Sequence, residues 1–449
     1  MSSDRNPAEL TIHSDRPWLD SYPIGISHEI DCSELPTLKE LLERACSRYG
    51  TSIAFIQGDR AISFRQLDQL SQAFGAWLQS IGVQKGNRVA LLLPNICEFP
   101  IALFGALRAG VAVVTLNPSY TPPEIEQLLH DAVPDVLVIL GPLHRALAAR
   151  PLPASVRYIA VVGGPLDQNL ARSDEHCQYV AWTQTIQPMM GRVLHDVNVD
   201  ANDLAFIQYT GGTTGTPKGA MLTHRNLCAN VLQSVAWIHK LSEPRSTLIT
   251  LLPLYHIFAL EGSLLLFTYL GWTNVLIPDA RNMAQVIEQL LRHPVAFVSA
   301  VNSLLKALLE AEGFASIDFS NLRITLVGGM PTDPVVAQRW SEITHCPVTQ
   351  AWGLTEASPG VTINLPGEAF NSAVGLPLPS TDVEIRDLQG ARLPIGEVGE
   401  LCVRGPQVSG GYWRRESESA NAFWPGGWLR TGDAGRLDVR GFVHLIDRF

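Results

Sequence analysis

Residues 209–219 read YTGGTTGTPKG, four glycines and four threonines with one lysine. That mixture suits phosphate. A glycine-rich turn bares backbone N–H groups that can line an anion site. Thr213, Thr214 and Thr216 add hydroxyl donors, and Lys218 adds a mobile positive charge. The spacing is not that of the common loop G-x-x-x-x-G-K-[ST]. Counted from Gly211, Thr216 falls where the second glycine belongs and Pro217 precedes Lys218; counted from the lysine instead, Gly219 follows it where the metal-binding hydroxyl would stand. A phosphate held here needs another geometry. The plain alternative is a flexible surface hairpin.

Three further segments carry weaker chemistry. In QAWGLTEAS, residues 350–358, Trp352 offers a flat ring, and Thr355 and Glu356 place a hydroxyl beside a carboxylate. A carboxylate near phosphates ordinarily acts through magnesium, which prefers hard oxygen ligands. In LRTGD, Asp433 is first of all a turn former, though it could also accept from ribose hydroxyls. In PLYHIFALEG, His256 stands among apolar side chains, where a lone histidine usually packs or makes a local hydrogen bond.

The elements that must position these groups alternate. Phe64, Leu67, Leu70, Phe74, Trp77 and Ile81 recur at helical spacing, which predicts a helix over 63–82. Ser63 and Gln66 supply its capping box, and Gly82 its stop. RVALLLP, AVVTL and VLVIL read as buried strands, separated by helical EFPIALFGALRAG and PPEIEQLLHDA. A second series begins with the strand LAFIQYT, directly before the glycine-rich segment, and Thr223 is placed to cap the helix after it. From about residue 373 the strands are short and glycine-spaced, as in VEIRD, GELCVRG and GFVHLIDR. The expected fold class is α/β. Two alternating β/α subdomains, 1–190 and 191–372, precede a β-rich subdomain at 373–449.

Composition narrows the partners. The chain has 449 residues, 46% hydrophobic and 17% charged, enough for large buried cores. A net charge of −10 argues against nucleic acid as the main partner. Seven scattered cysteines without a C-x-x-C pair argue against zinc and a disulfide framework, and fit a reducing cytoplasm. The run 263–277 is shorter than the ~20 residues that span a bilayer. It reads as a buried helix followed by a core strand, and a peripheral membrane contact is compatible with it.

Taken in order, YTGGTTGTPKG, PLYHIFAL, LVGGMP, QAWGLTEAS, GELCVRGPQVSGGYW, LRTGD and IDR resemble the acyl-adenylate-forming enzymes. Within them the chain is most similar to the long-chain fatty-acid–CoA ligases, through YTGGTTG, GAMLTHRNL, AVNSLLKALL, GLPLPST and PWLDSYP. The resemblance implies a reaction in two steps. A fatty acid and ATP give acyl-AMP and pyrophosphate, and coenzyme A then displaces AMP. It implies that Tyr209, Thr210, Gly211, Gly212, Thr213, Thr214, Gly215, Thr216 and Lys218 surround the phosphates. Gly329 and Trp352 would flank the adenine, and Gly328, Met330, Gln350, Ala351, Gly353 and Leu354 belong to the same nucleotide-binding set. Thr355 would stand near the α-phosphate, and Glu356 would hold Mg2+. Asp433 and Arg448 would hold the ribose. His256, Phe258, Leu260, Val301, Leu304 and Gly329 would line the acid. Thr213, Lys218, His256, Thr355 and Glu356 are the candidate catalytic groups. PLYHIFAL has no aspartate to hold an α-amine, which favours an acid without one. A homodimer is also compatible with the resemblance.

One departure stands out. Relatives continue past IDRF, usually with lysine in place of Phe449, into a small mobile domain carrying a lysine for the reacting carboxylate. The expectation is that these 449 residues bind ATP or acyl-AMP but adenylate weakly. Loading of a carrier protein, activation of an aryl acid, and a non-catalytic nucleotide-binding module are the alternative readings.

Overall fold

The computed structural model describes residues 15–147, 150–164, 177–210, 217–238 and 245–448. Three sheets organise them. The first has seven strands in the order Gln178–Ala181, Tyr158–Val162, Val136–Leu140, Arg88–Leu92, Ala112–Thr115, Leu204–Thr210 and Lys218–Thr223. All its neighbours are parallel except the last pair. Apolar runs without alternation form the inner strands because helices cover both faces. The α/β class expected from the sequence is what the chain adopts.

The second sheet has nine strands. From one edge it runs Leu376–Pro377, Gly360–Ile363, Val348–Gly353, Ile324–Val327 and Phe297–Ala300. It continues through Thr247–Thr250, Thr273–Leu276, Ile53–Gln57 and Arg60–Ser63. Sheet membership crosses the 190/191 division twice. The early strands Ile53–Gln57 and Arg60–Ser63 belong to the second sheet, and Leu204–Thr210 with Lys218–Thr223 belong to the first. An apolar run shows that a strand is buried but does not name its neighbour. The third sheet is antiparallel, with Asp382–Arg386, Gly399–Arg404, Trp428–Leu437, Phe423–Trp424 and Val443–Arg448.

The helix Phe64–Ser80 carries the expected capping box. Ser63 Oγ accepts from the Gln66 N–H at 3.2 Å, and Gln66 Oε1 accepts from the Ser63 N–H at 2.8 Å. This helix packs on Glu98–Arg108 so closely that a Cβ at Gly105 would lie 2.7 Å from the Ser71 carbonyl. The run 263–277 forms the expected helix, Leu266–Leu270, and strand, Thr273–Leu276. A π-helical turn, Leu260–Leu265, precedes them. No helix among the described residues is long and apolar enough to cross a membrane.

Candidate active site

The strands Leu204–Thr210 and Lys218–Thr223 pair antiparallel, with Tyr209 opposite Gly219 and Thr210 opposite Lys218. Residues 211–216, which include Thr213, Thr214 and Thr216, lie outside the described residues. The two strands flank that segment, and the second leads directly into the helix His224–Ile238. Gly219 is needed for that pairing, because a Cβ there would lie 2.5 Å from Ile207 Cγ2. Tyr209 donates its hydroxyl to Asp131 Oδ2 at 2.6 Å. Burial and this carboxylate push its pKa upward, so it remains a donor.

A stretch from the β-rich region lies along the hairpin's outer strand. The Met221 N–H donates to the Gly411 carbonyl at 3.0 Å, and the Trp413 N–H donates to the Gly219 carbonyl at 2.8 Å. Tyr412 is thereby placed with its ring 5.2 Å from Lys218 Nζ, while its hydroxyl donates to Glu356 Oε1 at 2.7 Å. Burial first, and Glu356 second, raise the Tyr412 pKa and keep the proton on the phenol. Lys218 and Glu356, assigned from separate motifs, thus converge on one tyrosine.

Glu356 sits in the turn Thr355–Ala357, which follows the strand Val348–Gly353. The Ser409 N–H holds the Glu356 carbonyl at 2.7 Å. Gly353 permits the turn, since a Cβ would fall 2.0 Å from the Pro359 carbonyl oxygen. Trp352 donates its indole N–H to Asp433 Oδ2 at 2.9 Å, and Arg448 Nε stands 3.3 Å from Oδ1 of the same carboxylate. With 6% of its surface exposed, Trp352 offers a narrow face for stacking. Gln350 turns its amide inward, onto the carbonyls of Asn371 at 2.7 Å and Ala373 at 2.8 Å. Its side chain supports the strand.

Gly328 and Gly329 follow the neighbouring strand Ile324–Val327, whose Val327 pairs with Gln350. A Cβ at Gly328 would meet the Ala351 carbonyl at 2.9 Å and the Phe258 ring at 3.6 Å. Gly329 has φ +76, and Val301 is the nearest side chain to its Cβ position, at 3.9 Å. Phe258, Val301 and Leu304 are half-buried and pack on the same core, whereas Leu260 has no exposed surface and belongs to the core itself. Met330 is 58% exposed and outside that core.

His256 Nδ1 accepts from the Phe258 N–H at 3.3 Å. The residue is exposed, and partial loss of solvation lowers its pKa. Its segment follows the second-sheet strand Thr247–Thr250 and is tied by hydrogen bonds to the first sheet. The Tyr255 carbonyl accepts from Gln208 Nε2 at 2.7 Å and from Thr115 Oγ1 at 2.9 Å. Asn95 Oδ1 accepts from the Leu254 N–H at 2.8 Å.

A sequence model described as AMP-binding enzyme matches residues 42–413. The chain belongs to the AMP-binding enzyme family. A long-chain-fatty-acid–CoA ligase of Yersinia pestis is 40% identical over 96% of this chain and 80% of its own length. Among solved structures, a long-chain-fatty-acid–CoA ligase from Archaeoglobus fulgidus superposes with a TM-score of 0.83. It is 26% identical, over 95% of this chain and 86% of that one. An anthranilate CoA ligase in complex with anthranoyl-AMP gives a TM-score of 0.84 at 26% identity, over 93% and 80%. The resemblance drawn from the ordered motifs is therefore correct at family level.

In this family member, the residues that sequence reasoning missed are mostly those that connect motifs. Tyr412, Asp131, Asn95, Gln208 and Thr115 each bond to a residue in or beside a recognised segment. No group of three or more His, Cys, Asp or Glu gathers as a metal site among the described residues. A single carboxylate still fits Mg2+, which commonly takes one or two carboxylates plus substrate phosphates. Glu356 keeps its Oε2 clear of any hydrogen bond from the described residues.

Proposed function

We propose that the chain activates a fatty acid with ATP as acyl-AMP and passes the acyl group to coenzyme A. One observation carries this reading. A Cβ added at Gly328 would meet both the adenine-side strand, at the Ala351 carbonyl, and the apolar side, at the Phe258 ring, so the glycine stands where the two sides adjoin. A nucleotide and an apolar acid bound on those two sides would meet beside it.

The carboxylate oxygen attacks the α-phosphorus, and the bond to the leaving pyrophosphate breaks. No base is required, because the acid is already ionised at pH 7. Lys218 and the threonines of 211–216 hold the β- and γ-phosphates, and Thr355 positions the α-phosphate. Glu356 holds Mg2+, which would neutralise phosphate charge. Asp433 and Arg448 take the ribose hydroxyls. His256, Phe258, Val301 and Leu304 line the acid. In the second step the thiol attacks the acyl carbon and AMP leaves.

The test is thermal unfolding with non-hydrolysable acyl-AMP analogues of increasing tail length. A ligand at about 100 times its Kd stabilises by ~2.7 kcal/mol. A shift that grows with tail length and then levels supports the reading. Equal shifts for AMP alone and for every tail refute the fatty-acyl part.

A further inference from the structure

Tyr412 stands between opposite charges. Its ring faces the Lys218 ammonium at 5.2 Å and its hydroxyl binds Glu356 at 2.7 Å. Among the described residues no ion pair joins Lys218 to Glu356, although both side chains are long and converge on the same phenol. The backbone that carries the ring is pinned on two sides. Ala220 bridges Tyr412 from the hairpin, and the Tyr412 N–H donates to Ser419 Oγ at 2.9 Å. Ser419 Oγ in turn donates to the Arg415 carbonyl at 2.7 Å. Gly411 makes room for that serine, since a Cβ there would lie 2.6 Å from Ser419 Oγ and its φ is +133.

We propose that Tyr412 is a positioning residue that keeps Lys218 and Glu356 from neutralising each other, so that both remain available to a metal-bound polyphosphate. This rests on the nucleotide site proposed above. An ammonium over an aromatic face is held without being neutralised. A phenol bonded to one carboxylate oxygen fixes that group and leaves the other oxygen open. Without the ring between them, the two charges would pair, and phosphate binding would first have to break that pair.

The test is calorimetric binding of ATP in excess EDTA, which reads Lys218 without any metal. Tyr412→Phe keeps the ring and should bind within about twofold of wild type. Tyr412→Ala opens the gap and should bind roughly tenfold more weakly, the scale of a hydrogen bond to a charged group. Adding Glu356→Gln to Tyr412→Ala should restore most of that loss, because the competing carboxylate charge is gone. Glu356→Gln alone should change metal-free binding by less than about threefold, the scale of a surface charge. Loss of affinity in Tyr412→Ala that Glu356→Gln does not restore would show ordinary structural damage and overturn the proposal. Unchanged affinity in Tyr412→Ala overturns it too. If wild type binds no ATP with or without Mg2+, the nucleotide site itself falls, an outcome distinct from both.

Discussion

The Trp352 indole N–H donates to Asp433 Oδ2 at 2.9 Å, so the ring expected to flank adenine is tied by its edge to the carboxylate expected to hold the ribose. Arg448 stands on the other oxygen at 3.3 Å. Together these donors fix the carboxylate's plane before any nucleotide arrives. Trp352→Phe keeps most of the buried ring and removes one donor. Under the proposed function, ATP should bind roughly tenfold more weakly, as expected for a lost hydrogen bond to a charged group. Isothermal titration of both proteins checks this. Equal affinities would show that Asp433 needs no help from Trp352.

Much of the local structure was readable because local causes set it. Ser63 and Gln66 cap their helix through bonds spanning three residues, and that signal lies wholly within the segment. The apolar runs at 88–92, 136–140 and 297–300 are strands as expected. Sheet membership was not readable, because the apolar run at 53–57 looks the same whichever sheet receives it. Tyr412 was passed over for a similar reason. Its motif, GGYW, was recognised, but its partners are Lys218 and Glu356, brought together only by the packing of the β-rich region on the hairpin. The glycine-rich segment was legible as a motif, yet the strand that follows it was not, since KGAMLT is short and has polar Lys218 and Thr223 at its two ends.

Gly353→Ala should damage the site through the backbone. The new Cβ would sit 2.0 Å from the Pro359 oxygen and 2.8 Å from its carbonyl carbon, atoms that cannot rotate away. Overpacking of this kind costs about 2–3 kcal/mol, and here it shifts the turn that carries Glu356. Gly329→Ala is the contrasting variant. Its φ of +76 is strained for alanine, but the nearest side-chain atom is 3.9 Å away, so about 1 kcal/mol is expected. Urea denaturation should rank the two in that order. The reverse ranking would mean that the 353–359 backbone moves easily.

His224 gives the acid limb of stability. Its Nδ1 accepts from the Leu38 N–H at 3.1 Å, and burial pushes its pKa down to about 4. The unfolded chain titrates near the ordinary value of about 6.5. Between those values the unfolded state binds the extra proton, so stability falls as pH drops through this window. The loss should reach roughly 3 kcal/mol by pH 4. His224→Gln, which cannot protonate, should lower stability at pH 7 and flatten the acid limb. Parallel limbs in the two proteins would show that other groups set the slope.

Glu261 acts in the opposite direction. It lies in the π-helical turn, 4% exposed, and Ser234 Oγ at 3.3 Å is the one hydrogen-bond donor that reaches it among the described residues. Burial raises its pKa from the ordinary 4.5 to about 8, and Ser234 offsets only part of that. Between those values the folded state holds the proton that the unfolded state has released. Stability therefore declines as pH rises from about 4.5 to about 8, and is fully present only below that window. Glu261→Gln keeps the shape and removes the titration. It should leave stability near pH 5 little changed and raise it by roughly 4 kcal/mol at pH 8.5. Denaturation midpoints at the two pH values decide the matter. A variant no more stable than wild type at pH 8.5 would mean that the carboxylate finds solvation in the folded protein, and that the π-turn does not seal it from water.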